Sequence, residues 1–196
     1  MKKINYIEYG VGNFLSIKNS LKTIDIDLNI VDKPENFNNE LHTLLPGVGN
    51  FDYCMQQLAK NNFVEFLRDK TNFKKNLVGI CVGMQIMFTK SEEAKEYPGL
   101  GIFDGEIVNL KNIGIKKTPI IGWNKIYGNF KSYFMNKKFY FIHSYGNIKS
   151  KCSISCYKKN KTKINAIIKK DNFIGLQFHP EKSGQIGIEL LNEFFK

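Results

Sequence analysis

Residues 79–83 read Gly-Ile-Cys-Val-Gly, so that a cysteine, Cys81, has a glycine two positions away on either side. An apolar run, Leu77–Ile80, precedes the cysteine, and a helical pattern over 83–88 follows it. This order is typical of a nucleophile elbow, a strained strand-to-helix turn that needs glycine on both sides. The helix start would favour the thiolate, and the N–H of Val82 could serve an oxyanion. A buried cysteine between two packing glycines explains the same five residues.

A second candidate segment, Gln177–Ser183, follows the last apolar run of the chain. Within it His179 and Glu181 are two residues apart, and this spacing suits a catalytic base and the carboxylate that orients it. A single histidine after a strand is also commonly structural. However, a cysteine first and His-x-Glu last, both after strands, is the order expected of a Cys-His-Glu triad at the carboxyl edge of an α/β sheet.

A third strand-like run, His42–Leu45, ends at Pro46-Gly47-Val48-Gly49. Such a turn can offer backbone amides to an oxyanion, or it can simply stop a strand, which Pro-Gly pairs often do. These residues alone leave both interpretations open.

The elements that carry these segments alternate between strand and helix in the first half of the chain. Strands are expected at 4–9, 28–31, 42–45 and 77–80, with helices at 14–24, 51–67 (with a break at Asn61-Asn62) and 83–88. The second half reads as six strands, at 105–110, 120–127, 138–145, 152–157, 164–169 and 172–178, and a final helix over 183–195, capped by Ser183. We therefore predict an α/β fold: a three-layer sandwich with a mostly parallel open sheet, helices on both faces and an antiparallel extension in the second half. With no repeat and no linker, residues 1–196 are expected to form a single domain.

Composition excludes several classes of protein. Hydrophobic residues make up 42% of the 196 residues and charged residues 24%, which excludes a disordered chain, and four cysteines in no zinc-like spacing favour reduced thiols. The most apolar run, Leu77–Phe88, is too short to span a bilayer, and no secretory signal is recognisable, so we expect a cytoplasmic protein without membrane contact.

The formal net charge of +11 is unevenly distributed, because residues 107–170 contain 15 Lys and no Asp or Glu. Such a surface can attract an acidic partner or an anionic substrate, or it can be a solvated lysine bias. Only one basic residue of the chain, Arg68, is an arginine, and no motif for reading bases is present. We therefore do not expect nucleic-acid binding.

Taken together, Gly-Ile-Cys-x-Gly-Met-Gln, Gln-Phe-His-Pro-Glu-Lys-Ser and Leu-Pro-Gly-Val-Gly resemble the class I glutamine amidotransferases, the triad glutaminase family. Within this family the chain is most similar to the glutaminase subunits of imidazole glycerol phosphate synthases of histidine biosynthesis. Further marks of that group are Tyr-Gly-Val-Gly-Asn from Tyr9, Gly-Leu-Gly from Gly99, Gly-Trp-Asn from Gly122 and His-Ser-Tyr from His143. The resemblance covers nearly the whole chain.

The resemblance implies a role for each matching residue. Cys81 would attack the side-chain amide of glutamine and form a thioester, His179 would move the protons, and Glu181 would hold the imidazole ring. The amides of Val82 and of the turn at Val48 and Gly49 would hold the oxyanion, and that turn would rearrange when the synthase partner is occupied. The residues expected to bind glutamine are Gly49, Gln85, Glu93, Ser144 and Tyr145. No cofactor and no metal ion are implied.

The resemblance also implies a partner, because the acceptor chemistry must lie on another chain. Ammonia would pass into a (β/α)8 barrel cyclase docked over the site, and the expected interface residues are Asn13, Trp123, Asn124, Tyr140 and Lys182. Departures from the family pattern, at Glu8, at 118–121 and at Gly146, lie towards the partner side. An alternative is therefore a paralogous glutaminase that supplies ammonia to a sugar amidotransferase in surface glycan synthesis. A regulatory subunit without turnover is a further reading, against which the complete triad argues.

Overall fold

An eight-stranded sheet forms the centre of the protein in the computed structural model, which describes residues 1–196, and two small sheets contain the other five strands of the chain. The strands are β1 (Lys2–Ile7), β2 (Ile26–Val31), β3 (Thr43–Leu45), β4 (Leu77–Ile80), β5 (Phe88–Ser91), β6 (Phe103–Asn109), β7 (Ile120–Lys125), β8 (Tyr127–Gly128), β9 (Lys138–His143), β10 (Tyr145–Gly146), β11 (Ser153–Lys159), β12 (Thr162–Lys170) and β13 (Phe173–Leu176). The α-helices are α1 (Phe14–Lys22), α2 (Phe51–Lys60), α3 (Phe63–Arg68), α4 (Val82–Gln85) and α5 (Gly184–Phe194).

The strand order in the large sheet is β2-β1-β3-β4-β13-β12-β11-β8. The first five strands are parallel, and β12, β11 and β8 continue the sheet as an antiparallel extension. All four residues of β4 and of β13 are buried, as expected for parallel strands that are covered by helices on both faces. The predicted fold class is therefore confirmed, including the change from parallel to antiparallel strands in the second half of the chain.

The helices bury apolar stripes against this sheet. In α5 the buried side chains include Leu190, Leu191 and Phe194, as the spacing predicts, whereas Ile186 is only half-buried. The break expected between α2 and α3 is present, because Asn62 adopts the left-handed conformation with φ 59°. No helix combines the length and the apolar character that crossing a membrane requires.

Two local expectations are wrong. The helix predicted over 83–88 ends at Gln85, because Phe88–Ser91 instead pairs with β6 as a parallel strand. Ser183 stands at the start of α5 but makes no capping hydrogen bond. Its Oγ instead donates to the carbonyl of His179 (2.6 Å) and accepts from the backbone N–H of Tyr140 (2.9 Å). This hydroxyl therefore joins the histidine segment to β9, a tertiary contact that local sequence rules do not contain.

Candidate active site

Cys81 occupies a strained turn between β4 and α4, with φ 53° and ψ −110°. Close packing explains the two glycines beside it. A Cβ built on Gly79 would lie 2.6 Å from Sδ of Met87, and one on Gly83 would lie 2.2 Å from the carbonyl oxygen of Leu45. No side chain fits at either position, and a positive φ at a cysteine costs on the order of 1–3 kcal/mol that the surrounding packing must offset. The conformation is that of a nucleophile elbow.

The short α4 changes one part of the sequence argument. A single helical turn, Val82–Gln85, follows the cysteine, so the helix dipole is much smaller than that of a full helix. The N–H of Val82 is still a first-turn amide, which has no partner within its own helix. The Cys81 side chain is buried, and its Sγ lies 3.8 Å from the carbonyl oxygen of Ile142.

His179 lines the same cavity as Cys81 because β13 pairs in parallel with β4, Leu176 opposite Ile80. Both segments leave the sheet at the same edge, three residues after β13 and one after β4. The Nδ1–H of His179 donates to Oε1 of Glu181 at 2.8 Å, and these two side chains are only 4% and 1% exposed. The carboxylate therefore fixes the ring and leaves Nε2 for the cavity.

The pKa of His179 reflects this environment. Burial alone would lower the pKa, but the neighbouring Cys81 sulfur and the Glu181 carboxylate outweigh burial and raise the pKa to about 10. This environment therefore favours the charged form of the ring, which can donate a proton.

The turn after β3 is anchored at one end and open at the other. The hydroxyl of Tyr9 donates to the carbonyl of Pro46 at 2.6 Å, and Gly47 packs so closely on α4 that a Cβ there would lie 2.1 Å from the Gly83 nitrogen. In contrast, the amides of Val48 and Gly49 donate no hydrogen bond within the chain. The N–H groups of both residues are therefore free to donate to a ligand.

These segments surround a cavity of about 370 Å³. Its thirteen lining residues are Val48, Gly49, Cys81, Val82, Gln85, Glu93, Pro119, Ile142, His143, Ser144, Tyr145, His179 and Lys182. The five residues expected to bind glutamine are all among these lining residues. Glu181 lies behind the His179 ring and does not line the cavity.

Two of the cavity residues already have partners in the chain. Oε2 of Glu93 accepts a hydrogen bond from the N–H of Phe51 at the start of α2 (2.9 Å), and burial raises the pKa of this carboxyl group. Nε2 of Gln85 donates to the carbonyl of Tyr145 (2.8 Å) and to Oε1 of Gln177 (3.3 Å). The Gln85 side chain therefore uses its amide hydrogens on the protein and offers its oxygen as an acceptor.

Three cavity residues, Pro119, Ile142 and His143, received no role from the sequence. His143 was visible only as part of the His-Ser-Tyr mark, and its side-chain partner, Tyr157, lies on another strand. Phe139 and Phe141, at alternate positions of β9, are the sequence signal that could have placed His143 on the same buried face.

The five predicted interface residues lie on several different elements. Trp123 and Tyr140 are direct cross-strand neighbours on β7 and β9, with ring centroids 6.0 Å apart, and Trp123 is 52% exposed. Lys182 lies at the cavity wall. Asn124 is on the opposite face of β7 from Trp123 by strand alternation. The Asn13 side chain caps α1 by accepting from the N–H of Ser16.

Comparison with known proteins assigns the class. The family model "Glutamine amidotransferase class-I" matches residues 5–196, so the chain belongs to the class I glutamine amidotransferases. Among solved structures, "Crystal structure of glutamine amidotransferase" is similar with a TM-score of 0.74 at 15% identity, covering 97% of this chain and 96% of that one.

Two curated relatives are similar over their whole length. "Imidazole glycerol phosphate synthase subunit HisH 1" of Legionella pneumophila (strain Lens) is 34% identical, with 100% of both chains covered. "Imidazole glycerol phosphate synthase subunit HisH 2" of Methanococcus maripaludis is 36% identical, with 98% of each covered.

Proposed function

We propose that this chain is the glutaminase subunit of an imidazole glycerol phosphate synthase, which hydrolyses L-glutamine to glutamate and ammonia for histidine biosynthesis. The observation that carries the proposal is the convergence of Cys81 and the hydrogen-bonded His179–Glu181 pair on one cavity, in a chain of the glutamine amidotransferase family. The names of the full-length relatives support the synthase.

The first half of the reaction is attack of the Cys81 sulfur on the side-chain amide carbon of glutamine. The carbonyl oxygen becomes an oxyanion, for which the amides of Val82, Val48 and Gly49 are the candidate donors. One such donor is typically worth about 3–4 kcal/mol in the transition state. The imidazolium of His179 gives its proton to the departing nitrogen, the C–N bond breaks, and ammonia leaves a thioester on Cys81.

In the second half, neutral His179 takes a proton from a water molecule that attacks the thioester carbon. The C–S bond breaks, glutamate leaves, and the sulfur and the ring regain their starting charges. Glu181 keeps the ring in one orientation through both steps without lining the cavity.

The remaining cavity residues suit the amino-acid end of glutamine. A carboxylate at Glu93 and the free oxygen of Gln85 are acceptors for the α-ammonium group. Gly49, Ser144 and Tyr145 complete the predicted glutamine site.

We assign the acceptor chemistry to a separate (β/α)8 barrel cyclase that receives the ammonia. The exposed Trp123, packed edge-on against the half-buried Tyr140, suits an aromatic interface anchor, and Lys182 at the cavity wall lies near where such a partner would dock. A cytoplasmic location is part of this proposal, since the pathway's substrates are small polar molecules.

The test is Cys81→Ala, assayed with the cyclase partner. Ammonia release from glutamine should be lost, because no other cysteine lines the cavity, while cyclisation with added ammonium salt continues. Cys152→Ala, a half-buried cysteine away from the cavity, is the matched control and should keep glutaminase activity. Normal glutamine hydrolysis by Cys81→Ala would overturn the triad assignment.

The same preparation separates the two partner hypotheses. Wild-type glutaminase activity that rises with a barrel cyclase supports the histidine route. Stimulation only by a sugar amidotransferase would instead support the glycan paralogue.

A further inference from the structure

A buried hydrogen-bonded chain lies behind one wall of the cavity. The Tyr157 hydroxyl on β11 donates to Nε2 of His143 at 2.8 Å, and Nδ1–H of His143 donates to the carbonyl of Tyr145 at 2.7 Å. Tyr157 is fully buried, and His143 is 6% exposed. Because a carbonyl can only accept, Nδ1 must carry the proton and Nε2 must accept from the tyrosine.

The environment keeps this arrangement in a single protonation state. Burial lowers the pKa of His143 to about 4, with the hydrogen bond to the Tyr145 carbonyl opposing and the nearby His179 adding to the lowering. Burial also raises the pKa of Tyr157, so its hydroxyl remains a donor. At neutral pH the neutral ring therefore has one tautomer, which the Tyr145 carbonyl selects and the Tyr157 hydroxyl supports.

The Tyr145 carbonyl is the point where this chain meets the predicted glutamine site. It accepts from His143 on one side and from Nε2 of Gln85 on the other. Both donors line the cavity, as do Ser144 and Tyr145. These two hydrogen bonds hold the carbonyl in place, so the backbone of 143–145 has little freedom to rotate.

We propose that His143 and Tyr157 are positioning residues for the substrate pocket: the hydrogen bond from Tyr157 holds the His143 ring in place, His143 in turn fixes the Tyr145 carbonyl, and the position of this carbonyl sets the shape of the wall that binds glutamine. This inference rests on the proposed function. Tyr157 does not line the cavity, so the loss of its hydroxyl should affect glutamine binding and not the chemical steps.

The experiment measures glutamine affinity by calorimetry in a Cys81→Ala background of the full chain, with the partner present, so that no turnover is required. Tyr157→Phe removes only the hydroxyl and keeps the ring packed on Phe141. It should weaken glutamine binding about fivefold, the change expected from one neutral hydrogen bond. In the otherwise wild-type enzyme KM should rise by the same factor while kcat stays within about twofold.

A matched control is Tyr133→Phe, which also removes a tyrosine hydrogen bond, to Glu189, but far from the cavity, and should leave affinity unchanged. His143→Asn keeps an N–H near the position of Nδ1 and should bind glutamine better than His143→Leu. Adding Tyr157→Phe to His143→Leu should have little further effect, because the link is already cut.

Unchanged glutamine affinity in Tyr157→Phe would overturn the inference. A loss of kcat and of thermal stability with an unchanged KM would also overturn it, since this result indicates a purely structural role. If the Cys81→Ala reference itself binds no glutamine, it is the proposed function that fails.

Discussion

The backbone at Cys81 predicts an inverted order of stability for two substitutions. At ordinary positions glycine is about 0.5–1 kcal/mol less stabilising than alanine. With φ 53° and ψ −110°, however, any side chain at position 81 carries strain of about 1–3 kcal/mol that glycine does not. Both Cys81→Gly and Cys81→Ala lose the thiol. The strain that glycine avoids is larger than its conformational cost, so Cys81→Gly should be more stable than Cys81→Ala by about 1 kcal/mol.

Urea unfolding of the two variants measures this difference, and the melting temperatures should differ by about 2–4 °C per kcal/mol in a chain of this size. The matched control is Ala59→Gly on the exposed face of α2, which should show the ordinary order and lose about 1 kcal/mol. If the protein with alanine is the more stable at both positions, the turn at Cys81 stores no strain, and Cys81 does not lie in a strained elbow.

Two further predictions concern stability. Gly47→Ala should cost more than about 4 kcal/mol and abolish glutaminase activity, because its Cβ would lie 2.1 Å from the Gly83 nitrogen; a folded, active variant in thermal melts would contradict this packing. Stability should also fall as pH drops from about 6.5 to 4, because the pKa values of His42 and His143 are lowered to about 4 by burial and the unfolded chain takes up protons first. The buried His143 accounts for about 3 kcal/mol of that fall, so urea midpoints should depend less on pH in His143→Asn than in the wild type, and equal slopes would refute the assignment.

Local chemistry explains why much of the fold was predictable from sequence. The glycines around Cys81 and the continuous apolar run of β4 encode the strand and its turn within a few residues. The Pro46-Gly47 pair does the same for the end of β3. In each case the residue types themselves determine the backbone, so no knowledge of distant partners is needed.

Contacts between distant segments account for what sequence did not predict. Phe88 leaves the helical pattern because β6 supplies a pairing partner, and Ser183 forgoes its cap because β9 supplies an amide. The role of His143 depends on Tyr157, which lies on another strand. Roles that the sequence proposes for glutamine contacts and for the interface stay predictions.

The pairing of β4 with β13 also bears on how this scaffold tolerates change. The thiol and the imidazole are spaced by hydrogen bonds between two adjacent central strands, even though almost a hundred positions separate them along the chain. Insertions in the peripheral loops between those strands can therefore lengthen the polypeptide without altering the distance between the reactive groups. New docking partners could be accommodated through such loops while the hydrolytic centre keeps its dimensions.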